Sequence, residues 1–459
     1  MHKRLSLMSG WILASLGMAT PAFAETLAEA MAYAYNSNPT LLARRAGLRA
    51  TDESVPQALA GWRPTVSMSA DIGKSTIETR YSGKTTDNSL NPWSVQLTVQ
   101  QPLYTGGQTT AAIKAAENTV LAGRADLMNT EQTVLLNVAT AYMNVLRDIA
   151  LVDLNKKNVV VLERQLQASQ DRFRVGEITR TDVAQSEARL AAAIADRITA
   201  EGTLETTRAT YQAIVGRPAK NLAQPDIAIE FPPNPETAAQ AAVLNNPALT
   251  SAKYTADAAV AGVDQLAGQL LPSIYLQGAV GRSKDQSLEG YQSTFAELTV
   301  NISIPLYEAG SVYSRVRAQK HTANQRRIQI HEQRRTAIQA ATAAYETWVA
   351  AKASIKSLDA QIVADEIALE GVEREAQVGA RTVLDVLDAE QELLTARVNR
   401  VVSERNERVA SFQILQAMGR LTAVDMSLPV EIYNPVQNYE DVRGAWFGTG
   451  VNLVAEPTE

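Results

Sequence analysis

Two regions of the chain alternate hydrophobic and polar residues with a period of two, and each lies between two prolines. Between Pro64 and Pro102, the apolar positions are Val66, Met68, Ala70 and Ile72, then Trp93, Val95, Leu97 and Val99. Between Pro272 and Pro305, they are Ile274 and Leu276, then Ala296, Leu298, Val300, Ile302 and Ile304. A period of two predicts β-strands. Each region is therefore a predicted β-hairpin, with strands of about 9 to 11 residues and one apolar face, as in membrane-spanning strands.

The two hairpins belong to a duplicated unit. Asn38-Pro39 and Pro64 recur 208 residues later as Asn246-Pro247 and Pro272, and beyond the hairpins the offset is 203. The matches at this offset are Pro102-Leu103-Tyr104 with Pro305-Leu306-Tyr307, Gly107 with Gly310, Val175-Gly176 with Val378-Gly379, Asp182-Val183 with Asp385-Val386, Glu187 with Glu390, and Gly216-Arg217 with Gly419-Arg420. The five extra residues of the first unit predict a longer loop in its hairpin.

Helical patterns flank each hairpin, and a long one follows it. Apolar residues then recur at every seventh position, at Val138, Val145, Val152, Val159, Leu166 and Phe173, and 203 residues later at Ala341, Trp348, Ile355, Ile362, Leu369 and Ala376. This spacing predicts a coiled-coil seam. The helical pattern from Gln108 to Arg174 would be about 100 Å long at roughly 1.5 Å per residue. Such a helix has to project as part of a tube or stalk.

Each long helix is predicted to end in a tight turn. Gly176 and Gly379 are expected as C-terminal caps, and a threonine three residues later begins the returning helix. Asp182 and Asp385 complete the T-x-x-D pattern of a capping box. Each unit therefore contains one long helical hairpin, and the returning helices run to Gly216 and Gly419.

The composition argues against several classes of protein. The 459-residue chain has no cysteine, which excludes disulfides, thiolate metal sites and a lipidated N-terminal cysteine. His321 and His331 are ten residues apart, on different helix faces. Since no nucleophile, metal cluster or phosphate loop is evident either, we expect neither an enzyme nor a bound cofactor or metal.

The first 24 residues have the pattern of a signal peptide, with Lys3, Arg4, an apolar run and Ala22-Phe23-Ala24 before Glu25. Removing these two of the 43 basic residues leaves 41 against 49 acidic ones, a net charge of −8, so no nucleic acid is expected as a partner. No later stretch approaches the roughly 18 to 20 apolar residues of a membrane helix. An exported chain of this kind would cross a membrane with strands.

Four strands are too few to close a barrel, because side chains already fill the interior at about eight strands. An oligomer would supply 8 strands as a dimer or 12 as a trimer, and only the larger leaves a useful lumen. Hairpins that cover a soluble core remain an alternative, because alternation is a weak signal.

The patterns divide the chain into nine segments. They are a signal peptide (1–24), a helical segment (25–63), a β-hairpin (64–102), a helical hairpin (103–216), a linker (217–236), a second helical segment (237–271), a second β-hairpin (272–305), a second helical hairpin (306–420), and a C-terminal segment and tail (421–459). Periodicity fades after Leu428, so we expect the tail to be partly ordered at most.

The signal peptide, the proline-bounded hairpins and the motif V-G-x-R-T-x-x-D-V-L-D-A from Val378 to Ala389 resemble the TolC family of outer-membrane efflux proteins. Without a cysteine, the chain is more similar to the unlipidated TolC branch. The resemblance implies a mainly α fold with a β-barrel portion. A homotrimer would form one 12-stranded barrel in outer-membrane lipid, continued as an α-helical tunnel across the periplasm. Its expected partners are a periplasmic adaptor protein and, through it, an inner-membrane transporter, in a tripartite efflux pump or type I secretion.

Asp385 and Asp388 are three residues apart and share a helix face. Three copies would make two stacked carboxylate rings, which attract cations, repel anions and raise some carboxylate pKa values. A capping role accounts for Asp385 but not for Asp388. The first unit has Gln185 and Ile178 in place of Asp388 and Arg381, so we expect the second hairpin alone to line a pore constriction.

The resemblance also implies a latch, in which Arg381, Thr181 and Asp182 help to hold neighbouring coiled coils closed. The family's latch includes a tyrosine where this chain has Ala376, so fewer bonds are expected here. Gly176 and Gly379 are expected at the tips that dock the adaptor. The competing hypothesis is an exported coiled-coil stalk or adhesin without a pore.

Overall fold

The computed structural model describes residues 24–225 and 231–451. The predicted signal peptide, apart from its last residue, lies outside the described residues. So do part of the linker (226–230) and the end of the tail (452–459).

The described elements follow the duplicated pattern. The first unit contains α1 (Leu27–Ser37), α2 (Pro39–Asp52), α3 (Ser54–Leu59), β1 (Thr65–Ile72), β2 (Ser75–Tyr81), β3 (Lys84–Leu90), β4 (Trp93–Tyr104), α4 (Gln108–Arg174) and α5 (Arg180–Val215). The second contains α6 (Pro235–Asn245), α7 (Pro247–Ala267), β5 (Ser273–Lys284), β6 (Gln292–Ser303), α8 (Ser311–Gln377) and α9 (Val383–Ala417). A short helix, α10 (Gln437–Arg443), follows.

The repeated Asn-Pro pairs begin equivalent helices. The Asn38 side chain accepts hydrogen bonds from Thr40 N and Leu41 N at the start of α2, and Asn246 accepts one from Leu249 N in α7. The following proline lacks an N–H and has a helical φ, which suits the first turn. Asn38 Nδ2 also donates to Ile214 O (2.9 Å). This bond ties the start of α2 to the end of the returning helix α5.

The predicted hairpins form one antiparallel sheet with the order β1-β4-β5-β6. The pairing of β4 with β5 joins the two units, and the register aligns Val66, Val99, Gly278 and Leu298 across all four strands. One face is apolar and exposed, with Val66 65% and Leu298 72% accessible. Within the described chain, β1 and β6 each have one unpaired edge. The sheet therefore leaves both an apolar face and two backbone edges without a partner.

The loop of the first β-hairpin is more structured than the sequence predicted. Strands β2 and β3 form a two-stranded ribbon that turns at Ser82 and Gly83, both with positive φ. Its side chains are mostly exposed. Because the ribbon is rich in threonine and lacks an apolar face, its alternation was not visible as a hydrophobic pattern.

The long helices pair as two antiparallel coiled coils, α4 with α5 and α8 with α9. The seven-residue row of α4 lies inside, since Val138 and Val145 are fully buried and Val152 and Val159 nearly so, whereas Phe173 at the far end is 44% exposed. One apolar window in α4 has the length and composition of a membrane-crossing helix, contrary to the sequence-based expectation. Half of that window is buried inside the protein, as expected for a helix that packs in a core.

The C-terminal segment is more structured than the sequence predicted, since α10 and a hydrogen bond from Tyr433 N to the Tyr35 hydroxyl (3.1 Å) lie beyond Leu428. Leu421, Ala423 and Leu428 are buried in the main core, and Ala423 N donates to Glu131 Oε1 (2.7 Å). Burial raises the pKa of Glu131. These contacts come from single side chains far apart in sequence, so they produce no periodic pattern that could have predicted them.

Candidate pore constriction at the helical hairpin turns

Both long helices end in the same turn, as predicted. Gly176 has φ of 80° and Gly379 has φ of 77°, in the left-handed region that favours glycine. Glu177 N donates to Arg172 O and Ala380 N to Glu375 O, both at 2.9 Å, which is the bonding of a Schellman motif. A β-carbon on either glycine would meet no atom within 4 Å. Backbone conformation, rather than crowding, therefore accounts for these glycines.

Both predicted capping boxes are present. Asp182 Oδ2 accepts from Thr179 N (2.8 Å), and Asp385 Oδ2 accepts from Thr382 N (2.9 Å). In return, each threonine hydroxyl accepts from the N–H of its aspartate. Hydrogen bonds from the Thr382 backbone and hydroxyl hold the pKa of Asp385 below its usual range. In a single chain, the Asp385 carboxylate is thus stabilised as an anion.

Arg381 forms an ion pair within its own turn. Its Nε lies 2.9 Å from Glu375 Oε2, and this hydrogen bond raises the pKa of Arg381. The first turn has the reverse arrangement, with Arg172 Nη2 2.7 Å from Glu177 Oε1. Within the described chain, no hydrogen bond joins Arg381 to Thr181 or Asp182. The three predicted latch residues are therefore not brought together inside one copy.

The structure adds an ion pair that the sequence did not predict. Arg189 Nη2 of α5 lies 2.5 Å from Asp388 Oδ1 of α9. It links the two helical hairpins, and the side chains are 39% and 58% exposed. The one available signal was a charge reversal between the units, because the residue 203 positions after Arg189 is Glu392.

A second contact links the hairpins at the same end. Arg172 Nη2 donates to the backbone oxygen of Ala376 at 3.1 Å, while the same guanidinium holds Glu177. Ala376 is the position where the resemblance implied a missing tyrosine. A bond from a side chain to a backbone carbonyl gives no sequence signal, which is why this link was missed.

Packing explains why the two aspartates face different surroundings. Val383 and Leu387 of α9 are buried against Val159, Leu162 and Ala193 of the first helical hairpin. Asp388 follows Leu387 and reaches Arg189 at the edge of this contact. Asp385 is partly exposed and bonds only to Thr382 among the described residues. The predicted pair of carboxylates is thus one capping carboxylate and one that is paired across the hairpins.

Comparisons with known proteins agree with this architecture. A model of the family described as outer membrane efflux protein matches residues 32–217 and 238–420, one stretch in each unit. The chain is 35% identical to the outer membrane efflux protein BepC of Brucella suis, over 96% of this chain and 95% of BepC. It is 26% identical to the outer membrane protein TolC of Escherichia coli, over 93% of this chain and 88% of TolC.

A solved structure shows the same fold. The outer membrane protein VceC from Vibrio cholerae superposes with a TM-score of 0.76 at 20% identity, over 86% of this chain and 96% of VceC. The family match favours the predicted channel over the stalk or adhesin. The chain belongs to the outer membrane efflux protein family and is an export channel of the Gram-negative outer membrane that extends into the periplasm.

Proposed function

We propose that three copies of this chain form a passive exit duct that its second helical hairpin, α8 and α9, closes at the periplasmic end. The unpaired edges of β1 and β6 support a barrel closed by several copies, because such edges pair with further strands when they are available. A trimer is chosen because only its 12 strands leave a useful lumen. The segments 64–102 and 272–305 are then the transmembrane hairpins. The segments 25–63, 103–216, 237–271 and 306–420 lie in the periplasm. The equatorial linker 217–236 and the C-terminal equatorial segment, which begins at residue 421 and continues into the tail, surround them.

The ion pair between Arg189 and Asp388 is the main observation in support of a gate at this end. It holds the start of α9 against the first helical hairpin at the end farthest from the sheet. The bond from Arg172 to the Ala376 carbonyl fixes the end of α8 at the same level. Opening requires the second hairpin to move away from the first, so both links must break.

Asp385 supplies the cation-attracting charge in this proposal. Its partners, the Thr382 N–H and hydroxyl, are neutral, whereas Asp388 faces the positive charge of Arg189. Three copies of Asp385 around the trimer axis form one ring of negative charge. Asp388 adds its charge to the constriction only when the link to Arg189 is broken.

The latch between copies uses Arg381. Its guanidinium is half-exposed in the single chain and pairs with the similarly exposed Glu375. In the trimer, the exposed guanidinium of Arg381 is free to reach Thr181 and Asp182 of the partner subunit. Exposed polar links contribute little one by one, which suits a latch that an adaptor can release.

The turns at the tips of the two helical hairpins are the surface to which a periplasmic adaptor binds. The adaptor in turn connects the channel to an inner-membrane transporter. Gly176 and Gly379 expose their backbone, and the neighbouring Val175 and Val378 are 77% and 81% accessible. Exposed valines at both tips offer an apolar surface to the adaptor.

Substitution of Asp385 by asparagine is expected to remove most of the block by multivalent cations, because it abolishes the ring. The purified trimer would be measured in planar bilayers. Block of the native channel should persist from pH 7 to pH 5, because the Thr382 hydrogen bonds that lower the pKa of Asp385 in each chain oppose the rise caused by neighbouring carboxylates in the ring. It should weaken only as the pH falls through that lowered pKa.

The Asp388→Asn variant and the double variant serve as comparisons. Unchanged block in the double variant would refute the cation gate. Loss of block between pH 7 and pH 5 would contradict the assignment to a capped carboxylate, because it would require the ring to raise the pKa above its usual range.

Cysteine at position 380 is expected to crosslink to the adaptor in intact cells. Ala380 follows Gly379 and is exposed, and the chain has no native cysteine. An Ala380→Cys variant would be compared with Val424→Cys, which is 64% exposed far from the tips. Equal crosslinking at both positions would contradict docking at the tips.

A further inference from the structure

The C-terminal segment from residue 421 to residue 447 runs from the core towards the β-sheet. Its successive contacts reach earlier positions along α4, and α4 begins at the sheet. Ala423 N bonds to Glu131, Tyr439 stacks on Arg124 at 5.0 Å, and Arg443 pairs with Glu117 at 3.1 Å. Along the helices that lead into β1, the contacts advance from Arg45 with Tyr433, through Asp52 with Asn438, to Arg63 with Ala445. The segment therefore ends beside the residues that enter the sheet.

An exposed aromatic pair stands at this end. Trp446 is 58% and Phe447 93% accessible. Arg63 fixes the position of the pair, because its Nη1 donates to Ala445 O (2.6 Å) and its guanidinium lies 4.7 Å from the centre of the Trp446 ring. In the described chain, no carboxylate lies within ion-pairing distance of Arg63. One positive charge and two large apolar side chains thus share one exposed surface.

This surface lies beside the start of the sheet. Arg63 lies two residues before β1, and Val66 is the first residue of the apolar face. Three residues of extended chain span about 10 Å, enough to cross the headgroup region on one side of a bilayer, about 5 to 8 Å thick. Tyr104 at the end of β4 and Tyr307 after β6 are also exposed, at 42% and 79%. Tryptophan and tyrosine concentrate at this depth in membrane proteins.

We propose that Trp446 and Phe447 insert into the periplasm-facing leaflet of the outer membrane, as an anchor whose ligand is phospholipid. The proposal rests on the transmembrane placement of the β-hairpins proposed above. The aromatic rings enter the boundary between headgroups and acyl chains, and Arg63 faces the lipid phosphates. This pair gives the helical part its own attachment to the membrane surface.

The absence of native cysteine allows a direct test. Phe447→Cys, labelled with an environment-sensitive fluorophore, would be reconstituted as the full trimer in phosphatidylcholine vesicles with brominated acyl chains. The position is almost fully exposed, so its substitution removes little packing. Val424→Cys, on the same segment but near the core, is the matched control, and Leu298→Cys on the apolar face is the lipid-exposed reference.

Quenching by brominated lipid at position 447 is expected to be severalfold stronger than at position 424. Equal, weak quenching at both would overturn the anchor. A label at 447 that is shielded from aqueous iodide yet unquenched by lipid would also overturn it, because the pair would then pack against a second copy. If position 298 is unquenched as well, the membrane placement of the sheet has failed, which separates that failure from failure of the anchor alone.

Discussion

Replacement of Arg189 by glutamate is expected to open the periplasmic end of the channel and raise its conductance in planar bilayers severalfold. The substitution breaks the pair with Asp388 and places two negative charges opposite each other. An exposed pair contributes about 0.2 to 1 kcal/mol. Three pairs per trimer then contribute about 0.6 to 3 kcal/mol, which changes the open population by roughly 3- to 150-fold.

Two variants control for this prediction. Exchange of the charges in Arg189→Glu/Asp388→Arg should restore the closed state, because the pair is re-formed with reversed polarity. Arg164→Glu makes the same charge change at an exposed position of the same helical hairpin and should leave the conductance unchanged. If Arg189→Glu conducts like the native channel, the pair does not hold the gate.

Replacement of Gly106 by alanine is expected to destabilise each chain by about 2 to 4 kcal/mol and to reduce assembly of the trimer. Gly106 has φ of 64° and lies where the sheet passes into α4. A β-carbon there would overlap the backbone oxygen of Gly268 and lie 3.0 Å from the Leu271 β-carbon. The measurements are the thermal unfolding midpoint and the fraction of trimer that resists dissociation in detergent.

The neighbouring glycine separates crowding from backbone strain. Gly107 has φ of 79°, but a β-carbon there would meet nothing within 4 Å, so Gly107→Ala should cost only about 1 to 2 kcal/mol. The second unit has Ala309 at the position equivalent to Gly106, 203 residues later, with φ of 49°. An alanine therefore adopts this positive φ in the second unit, so backbone strain alone does not exclude it. Equal losses in Gly106→Ala and Gly107→Ala would show that the approach of Gly268 is unimportant.

Much of the fold was predictable because its signals are local or repeated. The T-x-x-D pattern at Thr382 and Asp385 specifies a capping box through bonds within four residues. Gly379 specifies its turn through φ alone. The alternation after Pro64 specifies a strand because one face of the sheet is apolar. The duplication also gave each prediction a second, independent instance, since Gly176 and Gly379 occupy equivalent positions and predict the same turn.

The candidate site was only partly predictable. The sequence placed Asp385 and Asp388 on one helix face, but their roles depend on what faces each of them. Arg189 and Asp388 are 199 residues apart in the sequence. Arg172 binds a backbone oxygen, which every residue type has. Neither contact has a spacing that a repeat or a periodic pattern could reveal.

The sequence alone is enough to predict the duplicated unit, the caps, the turns, the strand faces and the length of the long helices. Each of these depends on backbone bonds and side chains within a few turns of one another. The folded chain is needed to show that Asp388 is paired, that the first β-hairpin carries a ribbon, and that Trp446 lies beside Arg63. These features are fixed by how whole helices and strands pack, and that packing joins residues whose separation along the chain conveys nothing about their distance in space.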